Sequence, residues 1–284
     1  MHLILTKETL AQDVVRFWVE APAVARKRRP GQFVIVRLSE EGERIPLTIA
    51  DADPARGAIS LIVQGVGRST QALNALEPGE ALLDVAGPLG LPTRIEPDSS
   101  VCCIGGGIGT AVVYPIAAGV KAAGGRVVSI IGARTRELVI LEEDMRRVAD
   151  TCIVTTDDGS YGMHGLVTDA LKGLLADHSF DEVVAVGPLP MMRAVVETTR
   201  PIGLKTIVSL NPIMIDGTGM CGGCRVTVAG EQRFVCVDGP EFDGHQVDFA
   251  ELSARLKAYR DQETESVELY RHRCRLRSAA QPTA

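Results

Sequence analysis

The chain has 284 residues, of which 45% are hydrophobic and 23% are charged, and its formal net charge at pH 7 is −6. This composition is ordinary for a soluble globular protein with room for two domains, and it excludes extended disorder. The acidic balance and an aromatic content of only 4% argue against a nucleic-acid partner.

The sequence also argues against export and against a membrane span. The first ten residues lack the basic start and sustained apolar core of a signal peptide, so the expected location is the cytoplasm. Residues 99–120 carry no charge, but five glycines and Pro115 interrupt them, and a buried strand, a turn and a helix fit them better. Seven cysteines, an odd number, favour reduced thiols and a metal site over a disulfide framework.

Residues 1–97 are predicted to form an antiparallel β-barrel. Short β-rich runs alternate with turn signals, which is a spacing typical of barrels. One short helix begins at Ser69 and ends before Pro78 and Gly79. The predicted strands are Leu3–Thr6, Val14–Val19, Phe33–Leu38, Pro46–Ala50, Ala58–Val63 and Ala81–Val85.

Residues 98–210 follow a different rhythm of apolar strand, turn and helix. This alternation predicts a doubly wound parallel sheet that binds a nucleotide at the carboxyl ends of its strands. Helical composition is found at about 109–124, 137–149, 164–176 and 190–200. The predicted strands are Val101–Ile104, Val127–Ile131, Thr151–Thr155, Glu182–Val186 and Thr206–Leu210.

A glycine-rich turn follows the first of these parallel strands. Gly106, Gly107 and Gly109 would let the backbone approach a pyrophosphate at the start of a helix. The turn is not a strict G-x-G-x-x-G, because Thr110 stands at the third glycine position. The turn alone therefore suggests a dinucleotide site without identifying one.

Two later strand ends carry charged residues that a nucleotide could use. Arg134 follows the second strand and could bind a 2′-phosphate or lie over an adenine. Asp157 and Asp158 end the third strand, where they could bind ribose hydroxyls or cap the following turn. These residues leave the choice between NAD and NADP open.

Two stretches of the barrel each combine a cation with hydroxyl groups. The first is Arg44-Ile-Pro46-Leu47-Thr48, and the second is a glycine turn that opens a helix. Each alone is more typical of a strand end or a helix cap. Together, ahead of a nucleotide-type domain, they predict a flavin held between the two domains. The candidate residues of the second stretch are Gly65, Gly67, Arg68, Ser69 and Thr70.

Residues 211–248 contain a glycine-rich cysteine loop with Asp216, Cys221, Cys224 and Cys236. This is the spacing of a plant-type two-iron, two-sulfur centre, with Asp216 at the first cysteine position. The alternatives are a tetrahedral zinc site and a turn whose cysteines are only buried, but zinc sites usually show two paired elements. Another alternative keeps the cluster, lets Asp216 cap the turn and takes the fourth ligand from Cys274.

Residues 249–284 are predicted to hold a helix over 249–260 and a charged tail from Asp261. The tail is acidic in its first half and basic in its second. Composition slightly favours a solvated, partly disordered end over a docking arm for another subunit.

Residues 1–240 resemble the ferredoxin-NADP reductase superfamily, which pairs a flavin barrel with a nicotinamide domain in this order. The cysteine loop is similar to the branch that holds the electron-transfer subunits of dihydroorotate dehydrogenase and of NADH-dependent ferredoxin:NADP oxidoreductases, also described as sulfide dehydrogenase subunits. Thr156–Asp169 and Asp216–Cys221 look closest to the second type, in which an aspartate serves as a cluster ligand.

The resemblance also implies roles for single residues. The family's flavin motif falls on Pro46, Leu47 and Thr48, with Leu47 at the position of an aromatic residue and Thr48 near the flavin N5. The family's Cys-Gly-Pro element appears as Val-Gly187-Pro188, followed by Met191, so no thiol stands beside the nicotinamide.

These interpretations lead to one expected function and two alternatives. We expect electrons to pass from NADH to FAD, to a 2Fe-2S cluster and to a larger iron–sulfur flavoprotein subunit, as in electron-bifurcating oxidoreductases. No acid–base residue is required for this, so no catalytic side chain is predicted. The alternatives are an electron-transfer subunit of dihydroorotate dehydrogenase or a hydrogenase, and a non-enzymatic adaptor built on a zinc loop.

Overall fold

The structure, a computed structural model, describes the backbone of residues 1–280 and the side chains of residues 1–272. Within this range the chain forms two seven-stranded sheets and a two-stranded hairpin. The first sheet is the predicted antiparallel barrel, and the second is the predicted parallel sheet with helices on both faces.

The N-terminal sheet is antiparallel throughout. Its elements are β1 (His2–Ala11), β2 (Val14–Glu20), α1 (Pro22–Ala25), β3 (Phe33–Arg37), β4 (Ile45–Asp53), β5 (Ala58–Gln64), α2 (Arg68–Asn74), β6 (Ala81–Leu82) and β7 (Asp84–Leu89). The strands pair in the order β6-β1-β2-β5-β4-β3-β7. The edge strands β6 and β7 are separated in sequence by Leu83 alone, so the two edges of the sheet lie close together. The sheet therefore forms a nearly closed barrel.

The barrel prediction is confirmed, with one strand divided. The run predicted over Ala81–Val85 breaks at Leu83, whose N–H donates to the Arg37 carbonyl at 2.9 Å. Alternate strand residues point inward, and Phe17, Ile49 and Leu61 are each at most 1% exposed. The barrel thus has a hydrophobic core of its own.

The second part of the chain alternates strands and helices. Its elements are β8 (Ser100–Gly106), α3 (Gly109–Ala122), β9 (Arg126–Ala133), α4 (Glu142–Val148), β10 (Thr151–Thr156), β11 (Met163–His164), α5 (Val167–Asp177), β12 (Glu182–Val186), α6 (Leu189–Thr199) and β13 (Thr206–Ser209). These strands are parallel in the order β11-β10-β9-β8-β12-β13. The predicted doubly wound sheet is therefore confirmed.

Strand β8 shows why helices cover both faces of this sheet. Cys103 shares a core with Ile116 of α3, whereas Cys102 shares a core with Val195 of α6. Every residue from Val101 to Ile104 is apolar, which is the pattern of a strand buried on both sides. Burial raises the pKa of the Cys102 thiol to about 12, so this cysteine is an unreactive core residue.

The cysteine-rich segment forms more structure than a loop. It contains β14 (Arg225–Val228), β15 (Glu231–Phe234), α7 (Val235–Asp238) and β16 (Glu241–Asp243). Strands β14 and β15 form a hairpin, and β16 pairs antiparallel with β13 to complete the second sheet. The segment 211–248 is thus joined to the sheet through its last strand.

Two helices end the described chain, α8 (Phe249–Leu256) and α9 (Arg260–Ala280). The tail is therefore helical as far as Ala280, in contrast to the partly disordered end that its composition favoured. Residues 260–280 contain no glycine or proline, and Asp261 and Glu263 occupy the first turn, where acidic groups complement the helix dipole. None of the described helices is both long and apolar enough to cross a membrane.

Glu241 ties the edge strand β16 to the linker that follows the barrel. The Thr93 hydroxyl donates to the Glu241 carboxyl group at 2.6 Å. Burial raises the pKa of Glu241 to about 7, the hydrogen bond from Thr93 acts in the opposite direction, and the charge of Glu182 adds to the rise. The carboxyl group therefore binds its proton more tightly in the folded chain than in the unfolded chain.

We expect this contact to make stability depend on pH. The contribution of Glu241 to the free energy of unfolding is fully present below pH 4.5 and is lost as the pH rises to about 7. Glu241→Gln should remove this loss, so the thermal midpoint of the variant relative to the parent should rise between those pH values. The exposed Glu40→Gln control should follow the parent, and parallel curves for parent and Glu241→Gln would contradict the assignment.

Candidate functional site

The turn predicted to approach a pyrophosphate lies between β8 and α3. A Cβ on Gly106 would lie 2.3 Å from the Met191 sulfur, and one on Gly109 would lie 2.1 Å from the Val186 carbonyl oxygen. Gly107 differs, because it has a φ of +53° and a Cβ there would meet no atom within 4 Å. The turn thus presents bare backbone to open space, which fits a pyrophosphate.

The second nucleotide element lies directly across from this turn. Gly187 and Pro188 follow β12, and a Cβ on Gly187 would lie 3.1 Å from the Gly106 Cα and 2.7 Å from the Met191 methyl carbon. Six of the predicted nucleotide residues are therefore brought together at one edge of the sheet, namely Gly106, Gly107, Gly109, Gly187, Pro188 and Met191.

Thr110 does not line this edge. It is 0% exposed and packs against Gly105, where a Cβ would lie 2.7 Å from the Thr110 Cα. Its hydroxyl oxygen has no hydrogen-bond partner among the described residues. Thr110 therefore supports close packing of α3 on β8, and its contact with a cofactor stays a prediction.

Backbone hydrogen bonds join the ends of the three neighbouring strands β8, β9 and β10. The Gly107 N–H donates to the Gly132 carbonyl at 2.8 Å, and the Asp158 N–H donates to the Arg134 carbonyl at 3.2 Å. Arg134, Asp157 and Asp158 are all exposed. The predicted adenosine-side residues thus lie along the same edge as the phosphate turn.

Asp158 and Asp157 differ in what they bind. The Ser160 N–H and hydroxyl donate to Asp158 at 3.0 and 2.6 Å, and these bonds lower the pKa of Asp158. Asp158 therefore caps the turn. Within residues 1–272 the carboxylate of Asp157 and the guanidinium group of Arg134 have no such partners, so these two side chains remain available to a ligand.

The first flavin stretch lies at the start of β4, paired with β3. Thr48 stands opposite Phe33, and Pro46 stands opposite Ile35. Leu47 packs against the barrel core, so Pro46 and Thr48 lie on the other face of the strand. The Thr48 hydroxyl is therefore placed outside the barrel, whereas the Leu47 side chain packs on the barrel side of the strand.

The second flavin stretch begins where β5 ends. The Gly65 N–H donates to the Asp13 carbonyl at 2.8 Å, and the Gly67 N–H donates to the Thr70 hydroxyl at 2.9 Å. Thr70 thereby caps α2. Its hydroxyl is engaged in the turn, so the turn is formed without any ligand.

A hydrogen bond joins the two flavin stretches. The Ser69 hydroxyl donates to the Glu43 carboxylate, which holds the loop of Arg44 beside α2. The guanidinium groups of Arg44 and Arg68 have no hydrogen-bond or ion-pair partner within residues 1–272. Unpaired arginines beside a glycine turn fit the diphosphate of a dinucleotide.

Asp216 organises the cysteine loop. Its carboxylate accepts hydrogen bonds from the Thr218 N–H at 3.2 Å, the Met220 N–H at 3.0 Å and the Cys221 N–H at 3.2 Å. Desolvation opposes ionisation, but hydrogen bonds from Thr218, Cys221 and Met220 outweigh it and lower the pKa of Asp216 to about 2. The carboxylate is thus charged at neutral pH and caps the turn.

The four candidate cluster ligands form two pairs. The Cys221 sulfur lies 3.4 Å from an Asp216 oxygen, and the Cys224 sulfur lies 3.3 Å from the Cys236 sulfur. Among the described residues, no three His, Cys, Asp or Glu side chains converge on one metal position. Two donor pairs fit a two-iron cluster, with two protein ligands for each iron, better than a single tetrahedral zinc.

Backbone groups of the loop support the same interpretation. The Gly223 N–H donates to the Cys221 sulfur at 3.4 Å, and the Cys236 N–H donates to the Cys224 sulfur at 3.4 Å. Such N–H donors tune the potential of iron–sulfur centres. Desolvation and the Cys224 contact raise the pKa of Cys236 to about 12, so cluster assembly has to displace its proton. Cys274, the alternative ligand, lies outside the described side chains.

The cysteine loop packs on the barrel. Gly217 has a φ of +75°, and a Cβ there would lie 2.7 Å from a Leu89 methyl carbon and 2.9 Å from Ile35. Ile35 and Leu89 support the loop, and no sequence motif indicated this role. The apolar run Phe33–Val36 is the signal that could have found Ile35, because such a run is typical of a strand covered on both faces.

The outer side of the loop is apolar and exposed. Met220 is 89% exposed, Ile215 is 53% exposed and Val237 is 43% exposed. Cys221 lies among them and is also exposed. Exposed apolar side chains on one loop are a feature that interaction surfaces share.

Two family models match the chain. The oxidoreductase FAD-binding domain matches residues 2–93, and the iron–sulfur cluster binding domain of dihydroorotate dehydrogenase B matches residues 211–248. The first range contains both flavin stretches, and the second contains Asp216 and the three loop cysteines.

Similar proteins cover nearly the whole chain. It is 48% identical over 270 residues to the dihydroorotate dehydrogenase B (NAD(+)) electron transfer subunit homolog of Thermotoga maritima, covering 95% of each chain. It is 34% identical to the electron transfer subunit of that enzyme from Geobacillus kaustophilus, covering 86% of this chain and 96% of the other. A solved structure reported for flavin-based electron bifurcation by an NADH-dependent reduced ferredoxin-NADP oxidoreductase matches with a TM-score of 0.90 and 47% identity, covering 95% of this chain and 98% of that chain.

These comparisons agree with the geometry of the two cofactor regions. They do not support a zinc-loop adaptor, because the model matched by the cysteine loop describes an iron–sulfur cluster domain. The chain belongs to the dihydroorotate dehydrogenase B electron transfer subunit family, as an oxidoreductase subunit with FAD-binding and iron–sulfur-binding domains.

Proposed function

We propose that the chain oxidises NADH with a bound FAD and delivers the electrons through a 2Fe-2S cluster to a larger iron–sulfur flavoprotein subunit. Residues 1–97 would hold FAD, residues 98–210 would hold NAD(H), and residues 211–248 would hold the cluster. Residues 249–284, the C-terminal helix and charged tail, would complete this arrangement.

The position of strand β3 between the flavin stretch and the cysteine loop supports this proposal. Strand β3 has the flavin stretch of β4 as its neighbour, with Thr48 opposite Phe33, and it supports the cysteine loop through Ile35 beside Gly217. The flavin and cluster regions therefore share one strand. This closeness supports direct electron transfer between the two cofactors.

When bound, a flavin can accept two electrons together as a hydride and can donate them one at a time. This is the chemistry needed between a nicotinamide and an iron–sulfur cluster. The protein contributes binding and orientation. Gly107 gives the pyrophosphate access to backbone, and Asp157 and Arg134 are available to the adenosine half. The Thr48 hydroxyl is available to the flavin edge, and Arg44 and Arg68 to the FAD diphosphate.

The larger subunit is proposed to dock on the exposed side of the cysteine loop. Met220, Ile215 and Val237 give that surface the apolar character of an interface core. Identity of 47% over 98% of a chain from an NADH-dependent reduced ferredoxin-NADP oxidoreductase favours a bifurcating complex of that kind. The second candidate is a dihydroorotate dehydrogenase, supported by 34% identity to its electron transfer subunit.

We place the complex in the cytoplasm. NADH is a cytoplasmic reductant, and the six cysteines whose side chains are described are all free thiols. Free thiols at the cluster loop are required for assembly of an iron–sulfur centre.

Isolation without oxygen should yield about one FAD, two irons and two acid-labile sulfides per chain, because the barrel and the cysteine loop each offer one site. NADH should then bleach the flavin absorption, since hydride transfer needs only the two cofactors side by side. Zinc without labile sulfide, or a flavin that NADH leaves oxidised, would contradict the proposal.

Gly107→Val should weaken NADH binding about tenfold or more, because a side chain there would occupy the space open to the pyrophosphate. Gly203→Val is a matched control, since Gly203 has a φ of +63° and also has no atom within 4 Å of an added Cβ. Both variants carry similar backbone strain. Equal NADH affinity for the two variants in a binding titration would place the phosphate turn elsewhere.

Asp216→Cys should retain the cluster and shift its reduction potential, because a carboxylate oxygen is a harder donor than a thiolate. Asp216→Ala should lose iron, and Cys274→Ser should keep it. Iron analysis and electron paramagnetic resonance of the reduced variants measure these outcomes. An unchanged signal in both Asp216 variants, with iron lost from Cys274→Ser, would show that Asp216 only caps the turn.

A further inference from the structure

Helix α9 lies against α2 of the barrel instead of extending away from the protein. Ser266, Leu269 and Tyr270 of α9 and Arg68 of α2 line a small cavity between the two helices. The three α9 residues share one face, because positions three and four apart are neighbours on a helix. The C-terminal helix thus borders the turn that opens α2.

That turn is the second flavin stretch, and its surface is unusual. Arg68 has no hydrogen-bond or ion-pair partner within residues 1–272. Val66, two residues earlier, is 70% exposed, and Leu269 on α9 is 53% exposed. An unpaired cation between exposed apolar side chains suits a ligand that has a charged linkage next to an apolar ring system.

We propose that α9 forms the outer wall of the FAD site and that Leu269 and Tyr270 contact the adenosine half of the cofactor. This inference rests on the proposed function and extends the FAD site beyond residues 2–93, the range of the matched FAD-binding domain. It gives the charged tail a role in holding the cofactor, separate from any role in docking a partner.

The positions of the two flavin stretches assign the ends of the cofactor. Thr48 lies on the face of β4 that adjoins the cysteine loop through β3, so the flavin ring belongs at that end. Arg68 lies at the other stretch and suits the diphosphate. The adenosine beyond the diphosphate then reaches α9, whereas FMN, which lacks adenosine, does not.

The test compares FAD with FMN. Flavin fluorescence titrations of the flavin-free full chain would give both dissociation constants for the parent, Leu269→Ala and Tyr270→Ala. Each variant should weaken FAD binding up to about tenfold, because aromatic and apolar contacts with the adenosine are lost. FMN binding should stay within about twofold of the parent, a change of a few tenths of a kcal/mol.

Glu268→Ala is the matched control, because Glu268 is an exposed residue of the same helix and does not line the cavity. It should bind both flavins as the parent does. Unchanged FAD affinity in Leu269→Ala and Tyr270→Ala would overturn the inference, and so would an equal loss of FAD and FMN affinity, which indicates general support of the barrel. A parent chain that binds neither flavin would instead contradict the proposed function.

Limited proteolysis gives a second readout that does not depend on the variants. Arg271 lies in the exposed outer part of α9, so trypsin can report whether the helix is held in place. FAD should slow cleavage at Arg271 and FMN should not. Equal cleavage rates with FAD, with FMN and without flavin would show that α9 does not contact the cofactor.

Discussion

The two-sided burial of strand β3 is the constraint that holds the three parts of the chain together. Val34 and Val36 point into the barrel core, whereas Phe33 and Ile35 belong to the core that also contains Cys224. A strand that is apolar on both faces has to be covered on both faces. The barrel closes one side of it, and the parallel sheet and the cysteine loop close the other.

This constraint gives the cluster region two unlike sides. Cys224 is 1% exposed and Cys236 is 2% exposed, within the shared core next to the barrel. Asp216 and Cys221 lie at the surface, beside the exposed Met220. The reduction potential of a cluster depends on solvent exposure and on ligand type. The buried cysteine pair and the more exposed Asp216–Cys221 pair therefore give the two sides of the cluster site different environments. The buried pair belongs to the same core as Phe33 and Ile35, and the more exposed pair lies beside the surface proposed for the partner.

The sequence was sufficient to predict the elements that depend on local patterns. Alternating and continuous apolar runs located the barrel strands and the parallel strands, and glycine spacing located Gly107 and the cysteine loop.

Features set by distant contacts could not be predicted in this way. The pairing of β16 with β13, the burial of Thr110 against Gly105 and the packing of α9 on α2 each join residues far apart in sequence or depend on how two elements meet. The charged tail was predicted to be partly disordered because its composition is polar. Composition does not record the order of the charges, and acidic residues in the first turn favour a helix.

In the proposed electron path the flavin stands between the nicotinamide and the cluster, so removing the flavin should interrupt the path. The flavin is removed from the full chain while the cluster is kept, and NADH is added without oxygen while the cluster is followed by electron paramagnetic resonance. The cluster should stay oxidised and silent until FAD is restored, and the signal of the reduced cluster should then appear. Reduction of the cluster by NADH in the absence of flavin would contradict this order of electron transfer.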